Sequence, residues 1–149
     1  MIVGHPERRH IFNESDEIIA KKLIAAIRNN LRPILCVGET LDQRNAGRTM
    51  EVILRLIQLV LQEPNEDVIA NLNIAYEPVW AIGTGHNADP SQIAEVHGAI
   101  RNYLTSSFGK ASFRILYGGS VNADNANELG RTSEVNGLLV GGASLKPES

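Results

Sequence analysis

The 149-residue chain holds one cysteine, Cys36. An internal disulfide is therefore excluded, which fits a reducing compartment. Cys36 sits in the apolar run "PILCVG" and reads as a small buried hydrophobe rather than a nucleophile. Long apolar runs are also missing. None approaches the roughly 18 residues that a membrane span needs, and no signal peptide precedes the first charges. The sequence reads as cytoplasmic and soluble. An excess of one charge is missing as well: 14 Lys and Arg stand against 17 Asp and Glu, a formal charge of -3 spread along the chain. Nothing in that balance calls for nucleic acid or an anionic membrane, and Arg8–Arg9 is too short a basic run to change it. His10, His86 and His97 have no spacing for a metal site, and His97 reads as a packed or exposed helix residue. There is no low-complexity linker and no sign of a second domain.

What the sequence does have is alternation. Four apolar, β-branched runs recur: "PILCVG" (33–38), "NIAYEPV" (73–79), "FRILYGG" (113–119) and "GLLVGG" (137–142). Each is short, continuous and bounded by Gly or Pro, the pattern of parallel strands buried on both faces. Ile2–Gly4 looks like the stub of a fifth. Helical patterns lie between them. Ile19, Leu23, Ala26 and Ile27 share a face after the capping and acidic residues 13–17. Ile53, Leu56, Ile57 and Val60 repeat at helical spacing, and so do Ile93, Val96, Ile100 and Leu104 after a "DPS" start. A shorter helix is expected in "NADNANEL". The order predicts an α/β fold with parallel strands and right-handed crossovers. Pro147 and Glu148 read as the first turn of a further helix. Both ends therefore read as cut from something longer.

The chemistry-bearing residues gather at strand ends. Glu77 follows the run "NIAY", where a carboxylate would face the ligand side of such a fold. Desolvation would raise its pKa and suit it to act as a base. A structural carboxylate paired with an arginine remains the equal alternative. "AIGTGHN" after Trp80 could be a phosphate loop, a lid or a plain turn. "YGGS" (117–120) and "VGG" (140–142) repeat the glycine theme, which lets backbone N–H groups approach an anion. His5 follows the first stub, with Pro6–Glu7 opening a helix behind it. The positive end of that helix favours an uncharged imidazole that can still donate a hydrogen bond. A strand-end histidine without function is the plainer alternative.

"VGHPERR", "CVGETL", "YEPVWAIGTG", "YGGSV" and "GLLVGGASL" together resemble the triosephosphate isomerase family, in order and across essentially the whole chain. The resemblance implies a partial (β/α)8 TIM barrel of about four parallel strands, forming one domain over residues 1–149. It is similar to the second half of the family's eight-stranded barrel. It also implies interconversion of glyceraldehyde 3-phosphate and dihydroxyacetone phosphate, a step of glycolysis and gluconeogenesis, with no cofactor and no metal. By the same resemblance, Glu77 is the base and His5 the neutral electrophile, a pairing for which this family is a standing example of pKa tuning. Gly83, Ser120, Gly141 and Gly142 would bind the phosphate, and residues 78–88 would form the lid. Glu39, Trp80 and Tyr117 would support that lid, and Glu7 would neighbour a catalytic lysine.

Several features depart from the family. The strand that carries the family's asparagine and lysine is absent from this sequence, as is the long third loop. Pro6 stands where a serine is usual, and His86–Asn87 where lysine–threonine is usual. Without that lysine, Arg8 or Arg9 is expected to neutralise Glu7. Two further readings stay open: another carbonyl reaction, such as decarboxylation, on the same His/Glu pair, and a folding unit without activity. Half a barrel would expose inner-face residues such as Ile34, Leu116 and Leu139, so self-association into a homodimer or higher oligomer is expected.

Overall fold

The computed structural model describes residues 1–62, 66–82, 87–109 and 113–147. Four parallel strands form one sheet in the order β1 (Ile2–Val3), β2 (Ile34–Val37), β3 (Asn73–Tyr76) and β4 (Arg114–Tyr117). Spatial order follows chain order, as expected when each strand is followed by a helical crossover. The register pairs Ile2 with Ile34, Cys36 with Ala75 and Tyr76 with Tyr117.

Period-two alternation divides the side chains between two faces. Leu35, Val37, Ile74, Tyr76, Ile115 and Tyr117 face the helices and join the core. Ile2, Ile34, Asn73 and Arg114 lie in one row on the other face, followed by Cys36, Ala75 and Leu116. Among the described residues, that second face carries no helix. Ile2 is 50% exposed, Arg114 is exposed, and Ile34, Leu116 and Leu139 are half-buried.

Three long helices cover the packed face. They are α2 (Asp16–Arg28), α4 (Thr49–Val60) and α6 (Pro90–Phe108). Each buries its periodic apolar set, including Ile19, Leu23 and Ala26 from α2, all four expected residues of α4 and all four of α6. Ser15 caps α2 by accepting from the Ile18 N–H. Asp89 and Gln92 close a capping box on α6, with Pro90 in its first turn. Two such bonds satisfy donors that the helix itself cannot.

Short helices fill the connections: α1 (Pro6–His10), α3 (Leu41–Asn45), α5 (Glu66–Asn71) and α7 (Ala126–Arg131). α1 and α7 fall where the sequence placed them, whereas α3 and α5 have too few turns to show a helical period.

Two details differ from the sequence expectation. The stub at residues 2–3 is a full member of the sheet, whereas the run 137–142 joins it only by a bridge between Leu138 and Tyr117. Leu138 lies at the outer edge, where no further strand among the described residues fixes it from the other side. Residues 142–145 then form a 3₁₀ turn. The expected helix start at Pro147–Glu148 falls partly outside the described residues.

Candidate active site

The C-terminal ends of β1, β3 and β4 open onto a cleft of about 390 Å³. His5, Glu77, Ser120, Gly141 and Gly142 all line it, together with Ile2, Ile82, Leu139 and Val140. Gly83 and His86 lie outside the described residues.

Glu77 is one residue beyond β3. Its N–H still donates to the Val37 carbonyl at 2.8 Å, so the strand geometry persists and aims its side chain to the same face as Ala75. The residue is only 3% exposed. Burial pushes its carboxyl above the ordinary value, while the Cys36 thiol and the charge of His5 pull less strongly the other way. One oxygen, Oε2, is buried with no hydrogen-bond partner among the described residues. An unpartnered buried carboxylate oxygen is costly in the charged form. It is also free to accept a proton.

Glycines shape this carboxylate's surroundings. A Cβ on Gly118 would lie 2.7 Å from Glu77 Cγ, and one on Gly38 would lie 1.8 Å from the Glu77 carbonyl oxygen. Only hydrogen fits at both places. Cys36 supplies the third wall. Burial together with the negative charge of the neighbouring Glu77 pushes its thiol pKa far up. Such a thiol is not a nucleophile, as its apolar setting predicted. Its contact with Glu77 is new. It depends on the pairing of Cys36 with Ala75 across two strands, which no local motif shows.

His5 occupies the N-cap of α1. Its Nδ1 accepts from the Glu7 N–H at 3.3 Å. An accepting Nδ1 has no proton, so in the neutral ring the hydrogen sits on Nε2. Nε2 lies 3.6 Å from Glu77 Oε1. The pair thus has the polarity of a donor imidazole beside a buried base.

The supporting residues gather behind the cleft. Glu39 is completely buried. Its Oε1 accepts from Tyr76 Oη and Trp80 Nε1, both at 3.1 Å, and from Arg44 at 3.0 Å. The Arg44 guanidinium also stacks over the Trp80 ring. Tyr117 Oη accepts from the Ala88 N–H at 3.4 Å, and a Cβ on Gly119 would lie 2.2 Å from that same oxygen. The two ends of segment 78–88 are therefore tied by different side chains, Trp80 to Glu39 and Ala88 to Tyr117. Sequence reasoning missed Tyr76 and Arg44 in this network. The Thr40–Gln43 capping box that starts α3 was the available signal for Arg44, since it fixes the helix that carries it.

Glu7 departs from expectation. It is not paired with either arginine: Arg8 binds Glu14 and stacks over Phe12, and Arg9 binds Asp16 and the Gly4 carbonyl. The Glu7 side chain is 69% exposed, and one of its oxygens lies 4.0 Å from His5 Nδ1. Among the described residues, no group of three or more His, Cys, Asp or Glu is placed to hold a metal ion. Among the same residues, no helix is long and apolar enough to cross a membrane.

Comparison with known proteins agrees with this arrangement. The family model described as triosephosphate isomerase matches residues 1–149. The chain is 54% identical over 151 aligned positions to a triosephosphate isomerase of Aquifex aeolicus, covering 100% of this chain and 61% of the relative. It is 52% identical to that of Chromohalobacter salexigens, with 98% and 59% covered, and 47% identical to that of Coprinopsis cinerea, with 99% and 60% covered. The chain spans about three fifths of the length of these relatives. A parallel four-stranded α/β sheet, a buried glutamate facing a histidine and a match over every residue lead to one conclusion: the chain belongs to the triosephosphate isomerase family.

Proposed function

We propose that this chain carries the proton-transfer half of a triosephosphate isomerase site. The observation that carries the reading is the buried Glu77 carboxylate, 3.6 Å from a His5 Nε2 that bears the ring hydrogen, on one cleft with two glycine loops. The substrate is a three-carbon sugar phosphate. Its carbonyl oxygen accepts a hydrogen bond from His5 Nε2, which draws electrons from the carbonyl carbon and acidifies the neighbouring C–H. Glu77 removes that proton and returns it to the adjacent carbon, while the former carbonyl oxygen takes a proton from His5 Nε2 and the neighbouring hydroxyl gives its own back to that nitrogen, so aldose becomes ketose. A desolvated carboxylate is the stronger base, and a general base of this kind contributes about 10²–10⁴-fold to rate. Ser120, Gly141 and Gly142 receive the phosphate at the far end of the cleft, and Glu39, Trp80 and Tyr117 hold the two ends of the lid segment; Gly83, outside the described residues, is assigned to the phosphate by family resemblance alone. Glu7 acts through its main-chain N–H, which holds His5 Nδ1.

The sheet's second face must be covered for this site to exclude water. We assign that cover to self-association, with a second copy of the chain placed against the face bearing Ile2, Ile34 and Leu116.

A coupled assay for glyceraldehyde 3-phosphate interconversion tests the reading. The parent chain should show turnover, and Glu77→Gln should lose about 10²–10⁴ of it. Turnover that Glu77→Gln leaves intact, or a folded and assembled protein with no turnover, would overturn it.

A further inference from the structure

Asn136 precedes Gly137 on the approach to the sheet's outer edge. Its main-chain N–H donates to the Ile115 carbonyl at 2.9 Å. Its side-chain Oδ1 accepts from the Ile115 N–H at 3.0 Å and from Arg101 Nη2 at 2.5 Å. The same guanidinium donates to Glu134 Oε2 and to the Phe113 carbonyl, so its orientation is fixed from three sides. The amide nitrogen Nδ2, by contrast, donates to no group among the described residues, and the residue is exposed. Gly137 N–H likewise donates to nothing in the described hydrogen bonds. Its carbonyl is held by Tyr117, and it has no side chain to shield its nitrogen.

This is an uneven way to hold an asparagine. The oxygen is gripped by a cation and a backbone N–H, while the nitrogen faces water. It is also the arrangement that favours loss of that nitrogen. When the Gly137 nitrogen, its proton given up to solvent, attacks Asn136 Cγ, negative charge develops on Oδ1. Two fixed donors already point at that atom, and preorganised donors at a developing oxyanion lower the barrier to its formation. The N–Cγ bond forms, the Cγ–Nδ2 bond breaks, and the nitrogen leaves as ammonia after taking a proton from water. The five-membered imide that results is opened by water. Attack at Cγ gives aspartate, and attack at the main-chain carbonyl gives isoaspartate.

We propose that Asn136–Gly137 is a self-deamidating site, with Arg101 and the Ile115 N–H as the donors that promote the reaction. The aspartate product suits the fold. A carboxylate is an acceptor-only group, so it keeps both existing bonds and makes the one to Arg101 charge-assisted on both sides. The isoaspartate product does not suit it, because the extra main-chain carbon displaces Gly137 and its bond to Tyr117. The inference is independent of the isomerase reading, since neither its chemistry nor its test involves turnover.

The test is ageing of the full chain at mildly alkaline pH, with peptide mapping by electron-transfer mass spectrometry to separate aspartate from isoaspartate. The same chain unfolded in guanidinium is the reference. Folded protein should convert Asn136 at least about tenfold faster than unfolded protein, since an aligned oxyanion donor contributes that much or more in well-ordered sites, and aspartate should predominate. Arg101→Gln should reduce the folded rate toward the unfolded one. Folded protein converting no faster than unfolded protein would overturn the proposal. Should Arg101→Gln fail to fold, Asn136→Asp decides the second part: it should melt at or above the parent, and melting below it removes the claim that the aspartate is accommodated.

Discussion

Glu77 is held where its charge is costly. Burial raises its carboxyl pKa above the ordinary 4.5. Between that value and the raised one, the folded state binds more protons than the unfolded state, so stability falls as pH rises through this window. Replacing the carboxylate with the equally shaped amide removes the effect. Glu77→Gln should therefore be more stable than the parent at neutral pH, with the difference shrinking to nothing below about 4.5, as measured by denaturant midpoints across pH. His97 acts with the opposite sign. Buried against the Tyr76 ring, with Nδ1 donating to the Glu134 carbonyl, it has its pKa lowered from 6.5 to about 4. Its contribution is present above 6.5 and is lost as pH falls toward 4. Both proteins share His97, so it cancels in the comparison. At this scale the sequence motifs showed the pairing of His5 with Glu77. They could not show Cys36 against the carboxylate or the exposed state of Glu7, because the first needs inter-strand register and the second needs to know where Arg8 and Arg9 point.

Secondary structure was most legible where a period had room to repeat. α2, α4 and α6 run three turns or more and carry their apolar sets on one face, and all three follow from the order of residues. The starts of α2 and α6 were legible too, since Ser15 and Asp89 cap the helices that they precede, whereas α4 follows Arg48 without a side-chain cap. Asp89→Ala should cost about 1 kcal/mol, the usual loss for a capping carboxylate. That is a modest fall in thermal midpoint with the strands intact. Because α6 begins just after Ala88, whose N–H is tied to Tyr117, the same substitution should raise the substrate KM more than it lowers kcat. A midpoint unchanged within error would mean that Pro90 and Gln92 alone set this helix start. The run 137–142 shows the limit of composition. It has the residues of a strand, yet pairs only at Leu138, because pairing also requires a neighbour.

Among the described residues the molecule is a sheet with one face packed under helices and a second face that carries none, where Cys36 and Ala75 are buried but Ile2 is half-exposed. Its helices bury a continuous core from Ile19 to Leu129. The opposite face shows Ile2, Ile34 and Leu116 in rows that a barrel would bury in its interior. Surfaces of this kind are rarely left open in stable proteins. Sedimentation velocity over a range of concentrations should show reversible association. Ile2→Lys combined with Leu139→Lys should shift it toward monomer and reduce the surface available to a hydrophobic dye per associated chain. A single monomeric species at every concentration would count against self-association. The sequence made the partial barrel legible through strand count and motif order. What covers the bare face was not legible, because side-chain alternation marks a face as apolar without naming its partner.

Two kinds of glycine line this site, and they answer to different demands. At Gly38 and Gly118 a side chain would collide with Glu77 itself, so the fold excludes substitution there whether or not anything is turned over. Gly141 and Gly142 have open space where a Cβ would stand. Gly141 still has a reason of its own to be glycine, since its φ of -94° and ψ of -114° lie outside the helical and extended regions; at Gly142 nothing among the described residues forbids alanine, and only a bound ligand would. Substitutions accumulating under selection for folding alone would leave the first pair untouched and erase Gly142. The glycines of this cleft therefore record separately whether the chain has been kept as a structure or as a catalyst.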